Sequence, residues 1–257
     1  MNALLPIVLL SIAFMVPRQV EVENVVIEEV SLGSPAEMAG IEGGDTILSV
    51  NGHPVQSRLD VNYYVHLSLG ETTALLLKKP DGSEKMVTLV PRLNPPEGQG
   101  ALGIAFYKEP VNLRTVSQSD SILKAVPKSI TTIGESFVLI RNEVASWFAQ
   151  KKAPQVTGPV GIFQLTGEAN AAGPSYLLQF AALLSLNLAI VNIFPLPALD
   201  GGRIVFVLIE VVRRGKRVSP RAEGLVHLVG FVMLISLILV ISYYDILRVI
   251  RGGSLSP

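Results

Sequence analysis

Two long stretches without a charge constrain this chain most. Residues 176–199, "YLLQFAALLSLNLAIVNIFPLPAL", run for 24 residues, and residues 225–244, "LVHLVGFVMLISLILVISYY", for 20, uncharged when His227 is neutral. About 20 apolar residues suffice for a helix to cross the hydrocarbon core of a bilayer. Lipid offers the backbone no partners, so such a run must be helical or have its breaks buried in protein or in a wet cavity. A third apolar run, residues 1–16, is slightly short. It lacks the basic start and small-residue cleavage site of a signal peptide ahead of Pro17 and Arg18. It reads as a membrane helix whose beginning is missing. Composition agrees with lipid contact: 49% of residues are hydrophobic, and mean hydropathy is +0.47.

Charge adds orientation and exclusions. Lys+Arg and Asp+Glu both number 21, so nothing draws the chain to nucleic acid. Without cysteine there are no disulfides, no thiol catalysis and no cysteine-ligated metal. Arg213, Arg214, Lys216, Arg217 and Arg221 follow the first long run, and positive loops tend to stay cytoplasmic. Both ends of the region 17–174 then lie on the outer side, although Arg248 and Arg251 near the C-terminus pull against this.

Residues 20–93 read as a compact α+β domain. "ENVVIEEV" is a valine-rich strand, and Ser34-Pro35-Ala36-Glu37 starts a short helix by a capping box with Pro at the first position. "DTILSVNG" runs as a strand into an Asn51-Gly52 turn. Ser57 and Asp60 begin a second helix with Leu59, Tyr63 and Leu67 on one face, and Gly70 ends it. Pro80-Asp81-Gly82 sits between two apolar runs as a hairpin turn. "GSPAEMAGIEGGDTILSVNGHPV", residues 33–55, resembles the signature of a PDZ domain of the bacterial protease-associated kind. That resemblance implies a peptide groove between strand 25–30 and helix 58–69, with Val25, Val26, Ile27, Leu59 and Tyr63 as candidate contacts. The same apolar positions also serve as core. His53 and His66 read as ordinary packed or surface histidines, since neither has a ligand partner at motif spacing.

Residues 94–118 read as a linker, Pro/Gly-rich at its start. Within 119–150, Ile122, Val126, Ile130, Ile133, Phe137, Ile140, Val144 and Trp147 recur in steps of four and three, one apolar stripe on an amphipathic juxtamembrane helix of two or more segments. It suits the membrane interface, with Trp147 at headgroup level, and equally the surface of the soluble domain. Residues 151–175 read as a glycine-rich loop, and 176–252 as a membrane domain.

The first long run carries the candidate chemistry. A carboxylate at membrane depth costs about 2.5–3.5 kcal/mol on insertion scales. Asp200 follows Pro195 and Pro197, which interrupt a helix, and precedes Gly201 and Gly202, which permit close backbone approach. Asn187 and Asn192 stand upstream. The residues alone allow two readings. One is a broken membrane helix with a reactive carboxylate. In the other, Asp200 is merely the N-cap of the next helix and the asparagines are interhelical glue.

"NLAIVNIFPLPALDGGRI", residues 187–204, is similar to the Asn-x-x-Pro-x-Pro-x-Leu-Asp-Gly motif of the site-2 protease family, and "GPVGI", residues 158–162, to a second family element. The resemblance implies an α-helical polytopic membrane protein with an inserted extracytoplasmic α+β PDZ domain, in the plasma (inner) membrane. It implies a zinc metalloendopeptidase of regulated intramembrane proteolysis, with transmembrane proteins as substrates and peptide or protein tails at the PDZ groove. Asp200 would be the third protein ligand of Zn2+, Asn192 a supporting catalytic residue, and Pro195, Pro197, Gly201 and Gly202 the structural frame.

One departure stands out. The family draws two ligands and its general base from His-Glu-x-x-His, and here the three histidines, His53, His66 and His227, fit no such spacing. His227 alone with Asp200 does not make a zinc site. The opening "MNALLPIVLL" matches the later part of the helix that follows the metal-binding one in the family, with Asn2 and the leucines in register. The expectation is therefore the C-terminal portion of a site-2 protease, with an incomplete zinc site and no activity alone. Two other readings remain: a membrane-anchored, non-catalytic PDZ adaptor, and a partial enzyme completed by a separate subunit bearing the histidines.

Overall fold

The computed structural model describes residues 4–150, 158–213 and 219–250. Asn2, the start of the expected glycine-rich loop at 151–157, and Arg214, Lys216, Arg217 and Arg251 lie outside these residues. The chain divides into two units: a helical one of residues 1–16, 120–133 and 155–257, and an α+β one of residues 17–119 and 134–154.

The α+β unit contains the elements β1 (Arg18–Asn24), β2 (Ile27–Val30), α2 (Pro35–Met38), β3 (Thr46–Val50), β4 (His53–Pro54), α3 (Arg58–Leu67), β5 (Thr73–Lys78), β6 (Glu84–Leu89), β7 (Ile104–Phe106) and β8 (Val111–Gln118). A four-stranded antiparallel sheet has the order β4-β3-β5-β6, and β1-β8 and β2-β7 form two separate two-stranded pairs. The local signals behave as their chemistry requires. Ser34 accepts from the Glu37 N–H at 3.1 Å, and Asn51 and Gly52 take the positive φ of a tight hairpin turn. Ser57 and Asp60 form a reciprocal capping box at the start of α3. Val25, Ile27, Ile47, Val50, Leu75 and Leu77 are almost fully buried and form the centre of the core, which Val61 and Val65 of α3 close.

The supposed linker 94–118 belongs to the domain. β7 pairs with β2 and β8 with β1, joining Arg18 to Gln118 across 100 positions. Both strands are short or largely exposed, so neither shows the clean alternation of a strand over a core.

The helical unit has α1 (Leu5–Met15), the first part of α4 (Ile122–Gln150), α5 (Pro159–Ala172), α6 (Pro174–Ile193), α7 (Asp200–Val212) and α8 (Pro220–Ile250). α1 packs along α6 through Leu10, Phe14, Ala125 and Ala182. Small polar groups tie the same seam. Ser175 Oγ donates to the Ala13 carbonyl at 2.7 Å, and Ser11 and Ser129 hydroxyls meet at 3.0 Å. Such close, hydroxyl-bonded packing is how helices associate where apolar surface alone gives no drive. Among the described residues, Pro174–Ile193 and Glu223–Arg248 are long and apolar enough to span a bilayer. α8 leaves that surface open: Leu225, Phe231, Met233 and Leu239 are all more than half exposed.

Two expectations need correction. Residues 159–172 are a helix, α5, and not a loop. Glycines at 161 and 167 lower its intrinsic propensity, but Pro159 occupies the first position and packing against α6 and α8 outweighs the cost. α4 is one continuous helix with Pro127 in its second turn, and it buries small and polar residues more fully than its apolar stripe, of which Ile133, Ile140, Val144 and Trp147 are half-buried. Ala125, Ser129, Asn142 and Ser146 are buried, whereas Ile122, Ile130 and Phe137 are exposed. Polar side chains of α4 add hydrogen bonds within both units: the Ser129 and Ser11 hydroxyls meet, Asn142 donates to the end of α3, and Glu135 accepts from the Tyr63 hydroxyl.

Candidate metal-ligand turn and peptide groove

α6 stops where the sequence forces it to. Pro195 removes a backbone donor and disfavours helical geometry at the residue before it, and Phe194 is extended at φ −60°, ψ 141°. The chain then turns tightly. Leu196 N–H donates to the Phe194 carbonyl at 2.7 Å, and Leu199 N–H to that of Leu196 at 3.2 Å. Ala198 takes φ +75°, a left-handed conformation that costs a non-glycine residue about 1–2 kcal/mol. α7 opens at Asp200, with Leu199 as its N-cap and no side-chain capping bond.

Asp200 is therefore not the N-cap, and that alternative reading falls. It lies in the first turn of α7, where its charge suits the positive end of the helix dipole, and it is exposed. Gly201 and Gly202 are buried against the turn. A Cβ on Gly201 would collide with the Ile193 and Phe194 carbonyls, and one on Gly202 with that of Leu196. The two glycines thus let α7 fold back onto the broken end of α6. Asn192 is half-buried in the last turn of α6, and Asn187 is exposed one turn earlier.

α8 braces this turn, which the sequence did not announce. Gly230 faces Pro197, leaving no room for a Cβ, and His227 Nδ1 accepts from the Ala198 N–H at 2.9 Å. Among the described residues, no three His, Cys, Asp or Glu side chains cluster as a metal site would need. Asp200 suits one position of a zinc site by donor type and exposure. The described residues do not complete the site.

The α+β unit holds a cleft elsewhere than expected. Val61, Asn62, Val65 and His66 of α3 form one wall, and Gly100 to Leu102 with Ile104 and Phe106 form the other. The strand flanking the helix is β7, from the supposed linker. Val25 and Ile27 are core residues, at 1% and 0% exposure, and Val26 is held in a bridge to Thr46. Leu59 is exposed outside the cleft, and the Tyr63 hydroxyl donates to Glu135 at 2.8 Å. Burial and the Glu135 carboxylate together push the Tyr63 phenol well above its usual range. The carbonyls of Ala101, Leu102 and Gly103 accept bonds from Arg92, Ala36 and Ser31 of the body. This leaves the Ala101 and Leu102 N–H groups without a partner among the described residues. "ALGIAF" at 101–106 has no polar–apolar alternation, so no local pattern marks it as the strand beside the cleft.

Residues 1–237 match Peptidase family M50. The chain belongs to this family. Among M50 relatives, it is 32% identical to the zinc metalloprotease RasP of Geobacillus kaustophilus, over 88% of this chain and 51% of that protein. It is 32% identical to a putative zinc metalloprotease of Clostridium acetobutylicum, over 85% and 62%. It is 33% identical to the regulator of sigma-W protease RasP of Bacillus subtilis, over 84% and 49%. The chain thus spans about half the length of the curated M50 relatives it matches. The PDZ domain of an SdrC-like protein from Listeria monocytogenes overlaps 33% of the chain at 20% identity, with a TM-score of 0.29, too low to bear on the fold.

Proposed function

We propose that this chain is part of an intramembrane zinc metalloendopeptidase of regulated intramembrane proteolysis, multi-pass in the plasma (inner) membrane. Asp200 is its contribution to the metal site and the PDZ domain its contribution to substrate handling. One observation carries the reading: Asp200 is exposed at a break between two apolar helices, and its own helix does not use it as a cap. Two buried glycines and a proline turn give that break a defined shape. Zinc supplies Lewis acidity and activates water when bound. The other two donors and the general base would come from a His-Glu-x-x-His segment outside this sequence. Asn192 stands close in sequence to hold substrate, and the chain alone does not cleave.

The cleft beside α3 suits a peptide added along β7, with the Ala101 and Leu102 N–H groups available to a terminal carboxylate. On this reading the α+β unit is extracytoplasmic and gates transmembrane protein substrates or binds their tails. A second reading, a membrane-anchored adaptor, draws on the fact that the cleft is formed by this chain while no three-donor cluster is present among the described residues.

The test purifies the chain alone and joined to the family's histidine-bearing helices, in detergent, and measures zinc content and cleavage of a transmembrane substrate. The enzyme reading expects about one zinc per joined protein, lost in Asp200→Ala, and chelator-sensitive cleavage. Peptide binding with no zinc in the joined protein favours the adaptor. Cleavage by the chain alone overturns the incomplete-site reading.

A further inference from the structure

We infer that His227 is the positioning residue for the turn that presents Asp200. Three observations converge on α8. His227 Nδ1 accepts from the Ala198 N–H at 2.9 Å, two residues before Asp200. Ala198 sits at φ +75°, a conformation that an L-residue holds only where its surroundings fix it. Gly230, one turn along the same face of α8, lets Pro197 lie directly against that helix. The turn is therefore held from a helix that does not carry the carboxylate, at the point where its backbone is least relaxed.

The bond also fixes the chemistry of the ring. To accept at Nδ1, His227 must be neutral with its proton on Nε2. Nε2 is buried without a hydrogen-bond partner, and the nearest carboxylate oxygen, on Glu223 one turn earlier, is 4.0 Å away. Phe206 of α7 lies beside the ring, with centroids 5.5 Å apart. The histidine thus reaches the turn through one nitrogen while its ring packs on α7. It links Ala198 just before Asp200 to Phe206 just after. In this role His227 ligates nothing. It sets where the Asp200 carboxylate points.

The inference rests on the reading of Asp200 as a metal ligand, and the experiment separates the two. His227→Asn places an amide oxygen where Nδ1 was and keeps an acceptor for Ala198. His227→Gln carries its oxygen one atom further out, and His227→Leu has none. Hydrogen exchange of the Ala198 amide is measured in this chain in detergent. Zinc affinity is measured by chelator competition in the protein that also carries the family's histidine pair. Asn is expected to keep Ala198 protected and zinc affinity near that of the parent. Gln and Leu are expected to expose Ala198 and weaken zinc about tenfold or more, the scale on which outer contacts tune a metal site. Unchanged zinc affinity in both Gln and Leu overturns the inference while leaving Asp200 as a ligand. Equal behaviour of Asn and Gln at Ala198 also overturns it, and this contrast holds even if the Leu variant does not fold. If the parent protein binds no zinc, the ligand reading fails, and the Asn–Gln contrast at Ala198 alone decides whether His227 holds the turn.

Discussion

Asp245, 1% exposed on α8, accepts a hydrogen bond from the Gly161 backbone N–H at 3.1 Å. Gly161 lies in the first turn of α5, whose N-cap, Gly158, has no side chain to offer. A helix start leaves its first N–H groups unpaired and favours negative charge. A carboxylate from another helix supplies both needs. A Cβ on Gly158 would meet the Ile241 side chain and stand 2.8 Å from Asp245 Oδ2, so the glycine lets α8 approach here. "GPVGI" is thus a docking site for Asp245.

Asp245→Ala should destabilise the helical unit by about 1–3 kcal/mol, the cost of leaving a buried donor unpaired. Asp245→Asn keeps an acceptor and should lose less. Gly158→Ala should mimic the alanine variant. Denaturant titration in micelles, followed by circular dichroism, ranks the three. Equal stability of all variants removes the role assigned to this pair.

Asp200→Ala should leave stability within about 0.5 kcal/mol, because the side chain is exposed and caps nothing. Zinc retention in the joined protein should nonetheless be lost. Melting curves and metal analysis on the same sample test both halves together.

Gly201→Ala and Gly202→Ala should do the reverse. Their added methyl groups meet backbone carbonyls, which cannot swing away as a side chain can. Overpacking of this kind costs about 1–3 kcal/mol. Faster amide exchange at residues 194–202 is the expected signature, and an unchanged exchange pattern would contradict the folded-back turn.

Asn142→Ala should loosen the α+β unit. Its Nδ2 donates to the His66 and Leu67 carbonyls at 2.7 and 3.1 Å, closing the C-terminal end of α3, one wall of the cleft. A loss of about 1–3 kcal/mol is expected, with weaker peptide binding measured by fluorescence anisotropy.

Alkaline pH should weaken the same unit. Burial and Glu135 raise the Tyr63 phenol, and the Asp45 carboxylate at 3.0 Å, joined by Glu42, raises Lys79. Raised folded values mean the folded chain keeps protons that the unfolded chain has released. Both contributions are complete below an ordinary value of about 10 and fade as pH climbs above it. Tyr63→Phe should flatten part of the decline in unfolding midpoint above that pH. An identical decline in the variant would assign it elsewhere.

The sequence by itself determined what local chemistry can encode. Uninterrupted apolar length dictated helices without a soluble core. Pro195 and Pro197 dictated the break after α6, and Ser57 with Asp60 dictated the start of α3. The Asn-x-x-Pro-x-Pro-x-Leu-Asp-Gly spacing identified the family and made Asp200 its candidate ligand. Tertiary structure decided every feature whose partner is distant in sequence. Residues 94–118 became strands because β2 and β1 accept their backbone bonds, a pairing with no local trace. The cleft shifted with them, from strand 25–30 to β7. α5 formed over its glycines because α6 and α8 pack on it and Asp245 meets its first turn. α4 seats Ser129 and Asn142 in hydrogen bonds to Ser11 and to the end of α3, contacts that no apolar periodicity reports. His227, an isolated residue in an apolar run, gained its role only when α8 came beside the turn at Ala198. A periodic pattern records which face of an element is apolar, but the partner that face meets is set by the packed chain.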